Sequence, residues 1–336
     1  MPTTPISQRG RDTMRGRMRG RAALLQGIIK VYDYPNPYIS PFMPTFTDIL
    51  PILTHYLHLG DLIKVASTSL ECSDLVHHHI EERRAEISTK YFNHPTTLYE
   101  ILRICDAVVS GSHALRILLP TATTSWEAKD LDIYVSAARV GQLINLLCRE
   151  GCELAAVDAQ TAHEYASSSV KEVISLWRQQ HRIDVIVSGT DDPITPVFEF
   201  HSTVVMNFIT AEAICCAYPS LTLRQKSIVN PYALYQRPLG RTSLGSWEKY
   251  EERGIEYTCC PCNLGSKRLC RCKARSLLDG ACMWVNVLAL PCAPYDPAAI
   301  FEQLGVFDVE WRLGGRVCGC LDALMAHCCR AVVDQS

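Results

Sequence analysis

Residues 108–135 read VVSGSHALRILLPTATTSWEAKDLDIYV, and the fold turns on how this stretch is read. An apolar run ends in Ser110-Gly111-Ser112, and Asp130-Leu131-Asp132 opens a second one that continues to Val135. As a strand, the second run puts Leu131 and Ile133 on one face and both carboxylates on the other, because side chains alternate along an extended chain. Two carboxylates on one face repel each other, so the pair is stable where water reaches it or where a divalent cation bridges it. The same apolar frame recurs at Arg182-Ile183-Asp184-Val185-Ile186-Val187, which supplies a third acid if the two strands are neighbours. Gly111 lets backbone approach a phosphate, and Ser112 with the N–H groups opening a helix at His113-Ala114 offers donors to its oxygens. Three carboxylates beside such a turn suit metal-assisted phosphoryl transfer, with Asp130, Asp132 and Asp184 as catalytic Mg²⁺ ligands. The plainer reading is a strand edge with solvated acids next to Lys129.

Outward from this stretch, the pattern alternates in kind. Residues 131–135, 183–187 and 204–209 read as strands, and 114–119, 140–150, 170–180, 211–218 and 221–234 as helix. SWEKYEERG, residues 246–254, reads as a helix closed by Gly254. Mixed strands and helices predict an α+β (mixed α/β) domain, a small mixed sheet flanked by helices. Ahead of it, apolar residues from Ile49 to Val76 recur at helical spacing, with Gly60-Asp61 between the first two runs, so a compact set of short helices precedes the sheet. The predicted organisation is an arm and linker over 1–45, a helical segment over 46–92, and the sheet domain over 93–336 with a Cys-rich insert at 257–292. No internal repeat is visible.

Composition narrows the classes. The chain has 336 residues, 48% of them hydrophobic, with a formal net charge of −2, so it can bury a sizeable core and carries no global basic field for non-specific nucleic-acid binding. The arm is basic on its own: Arg9, Arg11, Arg15, Arg17, Arg19 and Arg21 alternate with glycines and face only Asp12. Such a stretch cannot bury enough apolar surface to fold alone and reads as a solvated arm, with a transit peptide or an RNA contact as alternatives. Five prolines between Tyr32 and Pro51 forbid a continuous helix there. No secretory apolar region or membrane-length apolar run is present, which points to the cytoplasm or nucleus.

Of 17 cysteines, 11 fall between Cys259 and Cys329. In a reducing compartment these are thiols or metal ligands rather than disulfides. The pairs Cys260/Cys262 and Cys270/Cys272 could close four thiolates around Zn²⁺, and the alternative is a basic loop of unmetallated thiols. His77-His78-His79 points in three directions on a helix and reads as a polar face.

The ordered set of Gly111-Ser112, Asp130-x-Asp132 and Asp184 is similar to the motifs of the nucleotidyltransferase fold, the superfamily of DNA polymerase beta and poly(A) polymerases. With GSHAL, DLDIYV, HSTVVMNFIT, KYEERG and WRLGG, spread over residues 105–316, the chain resembles fungal proteins that join an F-box-like N-terminus to such a domain. The F-box likeness rests on DILPILTHYLHLGDLIKVASTSLECSDLV, residues 48–76. The first resemblance implies Mg²⁺ on Asp130, Asp132 and Asp184, a nucleoside triphosphate on Gly111 and Ser112, and transfer of a nucleoside monophosphate or a degenerate nucleotide-binding relative of such an enzyme. The second implies a Skp-type adaptor as partner and a role as ubiquitin-ligase substrate adaptor or non-catalytic scaffold. Neither G-x-S-x-G nor G-x-x-x-x-G-K occurs, which removes the hydrolase elbow and the P-loop. A nucleic-acid acceptor stays open.

Overall fold

The computed structural model describes residues 46–155, 169–230, 241–258, 274–288, 301, 302, 304 and 309–313. The chain divides into two units, residues 1–49 and 50–336, and the described residues lie almost entirely in the second. Helix α1 (Phe46–Thr54) leads into α2 (Leu59–Ala66), where the His58 ring caps the first turn by accepting the Asp61 N–H at 3.1 Å. Ser69 caps α3 (Leu70–Tyr91) in the same way, accepting the Cys72 N–H at 3.1 Å. Helix α4 (Thr97–Cys105) stops at Asp106, which adopts a left-handed φ of 48° and turns the chain into strand β1 (Val108–Ser110).

After β1 come α5 (Gly111–Arg116), β2 (Asp130–Ser136), α6 (Val140–Arg149), β3 (Glu153–Leu154), β4 (Val170–Arg178) and β5 (His181–Ser188). Then follow β6 (Asn207–Ile209), β7 (Ala213–Cys216), a single turn α7 (Pro219–Thr222), β8 (Lys226–Ile228), α8 (Arg241–Glu251) and β9 (Glu256–Thr258). The last elements are β10 (Arg275–Ser276), β11 (Met283–Asn286) and β12 (Glu310–Trp311). Eight strands form one sheet in the order β11-β7-β6-β1-β2-β5-β4-β3. Only the β2–β5 pair in it is parallel, so the sheet is mixed and the fold is α+β.

The two sheet faces bury different partners. Val109, Leu131, Ile133, Val135, Ile183, Val185 and Val187 share one core with Leu59, Leu62, Val76, Ile80, Tyr91 and Leu102 of the helices. The helical segment thus packs directly on the sheet. On the opposite face Val108, Tyr134, Ile186 and Phe208 pack with Phe198, Tyr218 and Trp311. Both faces being buried explains the near-continuous apolar runs of β2 and β5. Among the described residues, no helix is long and apolar enough to cross a membrane.

Several local expectations are corrected. Residues 170–180, expected as helix, form β4, hairpinned to β5 with Arg178 registered on His181 and Gln179 at φ 56°. Apolar residues on both faces of β4, Ile174 and Leu176 on one and Val170 and Val173 on the other, with a bulge between Val170 and Glu172 shifting the phase, make the apolar spacing imitate a helix. Residues 211–218 are not helical either: β7 pairs β6, and the Thr210 hydroxyl turns the chain by accepting N–H bonds from Glu212 and Ala213 at 3.1 and 2.9 Å. In 221–234, only the α7 turn and β8 appear before residue 231, where description stops. The strand expected over 204–209 begins at Asn207, after a 3₁₀ turn at Thr203–Val205.

Candidate functional site

Register brings the acids together. Ser110 lies opposite Asp132, Asp132 opposite Asp184, and Ser175 opposite Asp184, giving one polar row across β1, β2, β5 and β4. Asp130 lies opposite Arg182 one step along the same face, and beyond Asp132 the face turns apolar at Tyr134 and Ile186. The carboxylates thus sit at one end of an otherwise buried surface.

Their environments differ. Buried Asp184 is held through one oxygen, which accepts from Ser175 Oγ at 2.6 Å and from Arg182 Nε at 2.8 Å. Among the described residues Asp132 has no such partner, and its pKa is pushed up to about 7, first by loss of water and then by the charges of Asp184 and Asp130, with Lys249 and Arg182 pulling it down. An acid destabilised by its like-charged neighbours is the donor set a divalent cation would relieve, so Asp130 and Asp132 fit such an ion. As they stand, no three His, Cys, Asp or Glu side chains among the described residues are grouped so as to hold a metal, and one Asp184 oxygen is taken by Arg182 and Ser175.

The turn before α5 touches the same acids. Gly111 has φ 67°, and any Cβ there would collide with Asp132 Oδ2. Both the conformation and the close approach require glycine. Ser112 is buried, its hydroxyl 3.1 Å from Tyr250 OH and accepting from Arg253 Nη1 at 2.9 Å. Arg253 also donates to the Glu127 carbonyl at 3.3 Å, and its guanidinium lies 4.2 Å from the Trp126 ring and 5.1 Å from that of Tyr250. Lys249, half-buried on α8, acts electrostatically on Asp132 and Asp130; its pKa is lowered, first by burial and then by Arg253. Below the turn, His113 Nε2 is 2.9 Å from Tyr91 OH, which lies 3.3 Å from the Lys129 carbonyl. Burial, then Lys90 and Arg116, pushes His113 down to about 3, so it is neutral, and burial followed by Asp130 and Asp132 raises the Tyr91 phenol.

The residues between α5 and Asp130 are threaded over cations. Arg83 of α3 donates to the carbonyls of Arg116, Ile117 and Leu119 at 2.5, 2.9 and 3.0 Å. Arg116 donates to those of Thr124 and Trp126 at 3.2 and 2.7 Å, and Lys90 to that of Ala128 at 2.5 Å. Together these deliver Asp130 to the start of β2. They also frame a cavity of about 200 Å³ behind α5.

Gly111, Ser112, Asp130, Asp132 and Asp184 are therefore neighbours. Cys260, Cys262, Cys270 and Cys272, the Zn²⁺ candidates, lie outside the described residues, as does the arginine arm. The His triplet splits: His78 pairs with Glu82 at 3.1 Å, while His79 is buried edge-on to His55 and held down to about 4, mainly by burial. Sequence reasoning missed Lys249, Tyr250, Arg253 and Arg182. The four-residue spacing of Lys249 and Arg253 would have placed both cations on one side of a helix, but nothing in sequence says what that side faces. Compared with known proteins, the chain matches no family model, no curated protein and no solved structure.

Proposed function

We propose that this protein is a nucleotidyltransferase-type protein whose cleft takes a nucleoside triphosphate with a divalent cation. Asp130 and Asp132 would hold the ion, Asp184 completes the acidic row, and Gly111 and Ser112 offer the backbone approach and hydroxyl for phosphate oxygens. A bound ion would neutralise charge on the phosphates and orient them. The observation that carries the reading is the register of Asp132 between Ser110 and Asp184, with Gly111 against its carboxyl oxygen. A cytoplasmic or nuclear setting is part of the same reading.

The test is a thermal melt of the full chain with Mg²⁺ or Mn²⁺ and each nucleoside triphosphate. A saturating ligand should raise the midpoint by roughly 5 °C or more, and Asp132→Asn should abolish the rise. No rise with any triphosphate would discard the proposal. Binding with no transfer of a labelled nucleotide would identify the degenerate relative.

The second reading, a ubiquitin-ligase adaptor or interaction scaffold, is favoured by one observation. Ile52 and Tyr56 are 61% and 59% exposed and line an open groove of about 550 Å³ with Pro51, His55, Thr121 and Ala122. It is the function that remains if the cleft binds no nucleotide.

A further inference from the structure

We propose that the cavity behind α5 is an effector site for a small oxyanion, of the size of phosphate or a short dicarboxylate, whose binding fixes the segment that delivers Asp130 to β2. The cavity is separate from the acidic row. Its lining includes Ile87 and Ile117, which belong to the core between the helices and the sheet, whereas the face that carries Asp132 continues into Tyr134 and Ile186 on the other side. The inference therefore stands whether or not the row takes a nucleotide.

The cavity holds about 200 Å³, several times the roughly 30 Å³ that one water occupies in the liquid, so a polyatomic anion fits. Three cations line it, Arg83 and Lys90 from one side of α3 and Arg116 from α5, with the neutral His113 beside them. Arg83 is buried, and Lys90 and Arg116 are half-buried. The acids of the lining, Glu86 and Glu127, are both exposed, so water screens them. Among the described residues neither Arg83 nor Arg116 forms an ion pair, and Lys90 reaches only Glu127, at 3.8 Å. The carbonyls they hold satisfy hydrogen bonds without neutralising charge, which leaves two guanidiniums in repulsion. Arg116, after burial, pushes Arg83 down to about 10. An anion in the cavity relieves that repulsion. Donors remain for it: among the described residues Arg116 hydrogen-bonds only through Nη1, to the carbonyls of Thr124 and Trp126, and Lys90 Nζ makes one hydrogen bond, to that of Ala128.

The same side chains give the anion its leverage. The carbonyls of Trp126, Ala128 and Lys129, just ahead of Asp130, are held by Arg116, Lys90 and the Tyr91 hydroxyl. A ligand that pins Arg116 and Lys90 pins that segment with them.

Isothermal titration of the full, metal-free chain with inorganic phosphate and, separately, with succinate at constant ionic strength tests this, and the tighter of the two names the source of the oxyanion. Lys90→Gln and Arg116→Gln should each weaken the anion by about tenfold or more. Glu86→Gln should tighten it by about twofold, an opposite sign that general loss of structure cannot produce. Hydrogen exchange of the amides of residues 126–130 should slow with the anion in the wild type and not in Arg116→Gln. Binding of neither ligand would overturn the proposal, as would wild-type affinity in both Gln variants, folded by circular dichroism. Loss of phosphate binding in Arg253→Gln with Lys90→Gln unaffected would also overturn it, because the anion would then sit beside Ser112.

Discussion

At the scale of a single residue, Asp132 is where charge and stability meet. Its folded carboxyl titrates near 7 against an ordinary 3.8, so the ionised form is the one the fold disfavours. The stability linked to it is therefore complete below about pH 4 and is lost as pH rises through 7. In metal-free buffer, Asp132→Asn should stabilise the protein at pH 8 by on the order of 1–3 kcal/mol and by clearly less at pH 5, read from denaturant melts. A gain of equal size at both values would show that the carboxyl is not strained. The alternation of Asp130-Leu131-Asp132 made the facing of these acids readable in advance. The repulsion of the pair was readable too, but not the burial that leads in raising Asp132, nor that register would bring Asp184 alongside.

Among the elements, the link between α5 and β2 shows how a loop can be built on buried cations. Arg83 is pushed down to about 10 by burial and by Arg116, yet stays charged and satisfies three carbonyls at the end of α5. The Arg116 carbonyl also accepts the Leu119 N–H at 3.2 Å, while those of Ile117 and Leu119, just past the end of α5, accept no other backbone N–H among the described residues. Arg83→Met should cost about 3–5 kcal/mol in urea unfolding, because removing one side of a buried polar set leaves the other unpaired. A cost below about 1 kcal/mol would mean that water replaces the guanidinium. Arg83 and Arg116 are unremarkable in sequence, since hydrogen bonds to backbone leave no pattern. The misread strand β4 has a related cause: Ile174 and Leu176 pack on one sheet face and Val170 and Val173 on the other, the latter pair brought into phase by the bulge, so apolar residues on both faces imitate helical spacing. Helices α2 and α6 were legible because one apolar stripe decides each, whereas α3, which buries Ser73, His79, Arg83, Arg84 and Ser88 along with its apolar residues, was legible only over its start at Leu70–Val76.

For the molecule as a whole, three histidines, His79 and His113 buried and His201 half-buried, set an acid limit. His79 and His201 are held near 4 and His113 near 3, burial leading in each case. Depressed imidazoles contribute stability that is present above their ordinary 6.5 and is lost as pH falls toward 4, the opposite sense to Asp132. Three such groups outweigh one acid, so the melting midpoint should fall steadily from pH 6.5 to 4. Replacing His79 with Gln should flatten part of that fall, and a midpoint flat over the range would contradict the burial of these rings. The α+β class and the order of cleft motifs could be read from the chain, since period and hydropathy carry them. Strand order, and hence the cation side of the cleft, could not, because long-range pairing writes no local signal.

The place of β1 has a further consequence, for the order of assembly. Val109 is registered on Ile133 from one side and on Ile209 from the other, so this central strand borrows its second neighbour from far along the chain. During synthesis β1 and β2 can pair early while the other edge waits, apolar and unpaired, for β6 and then β7 and β11 to emerge. Completing the sheet thus waits on long-range pairing, and until β6 arrives that edge is open to wrong partners.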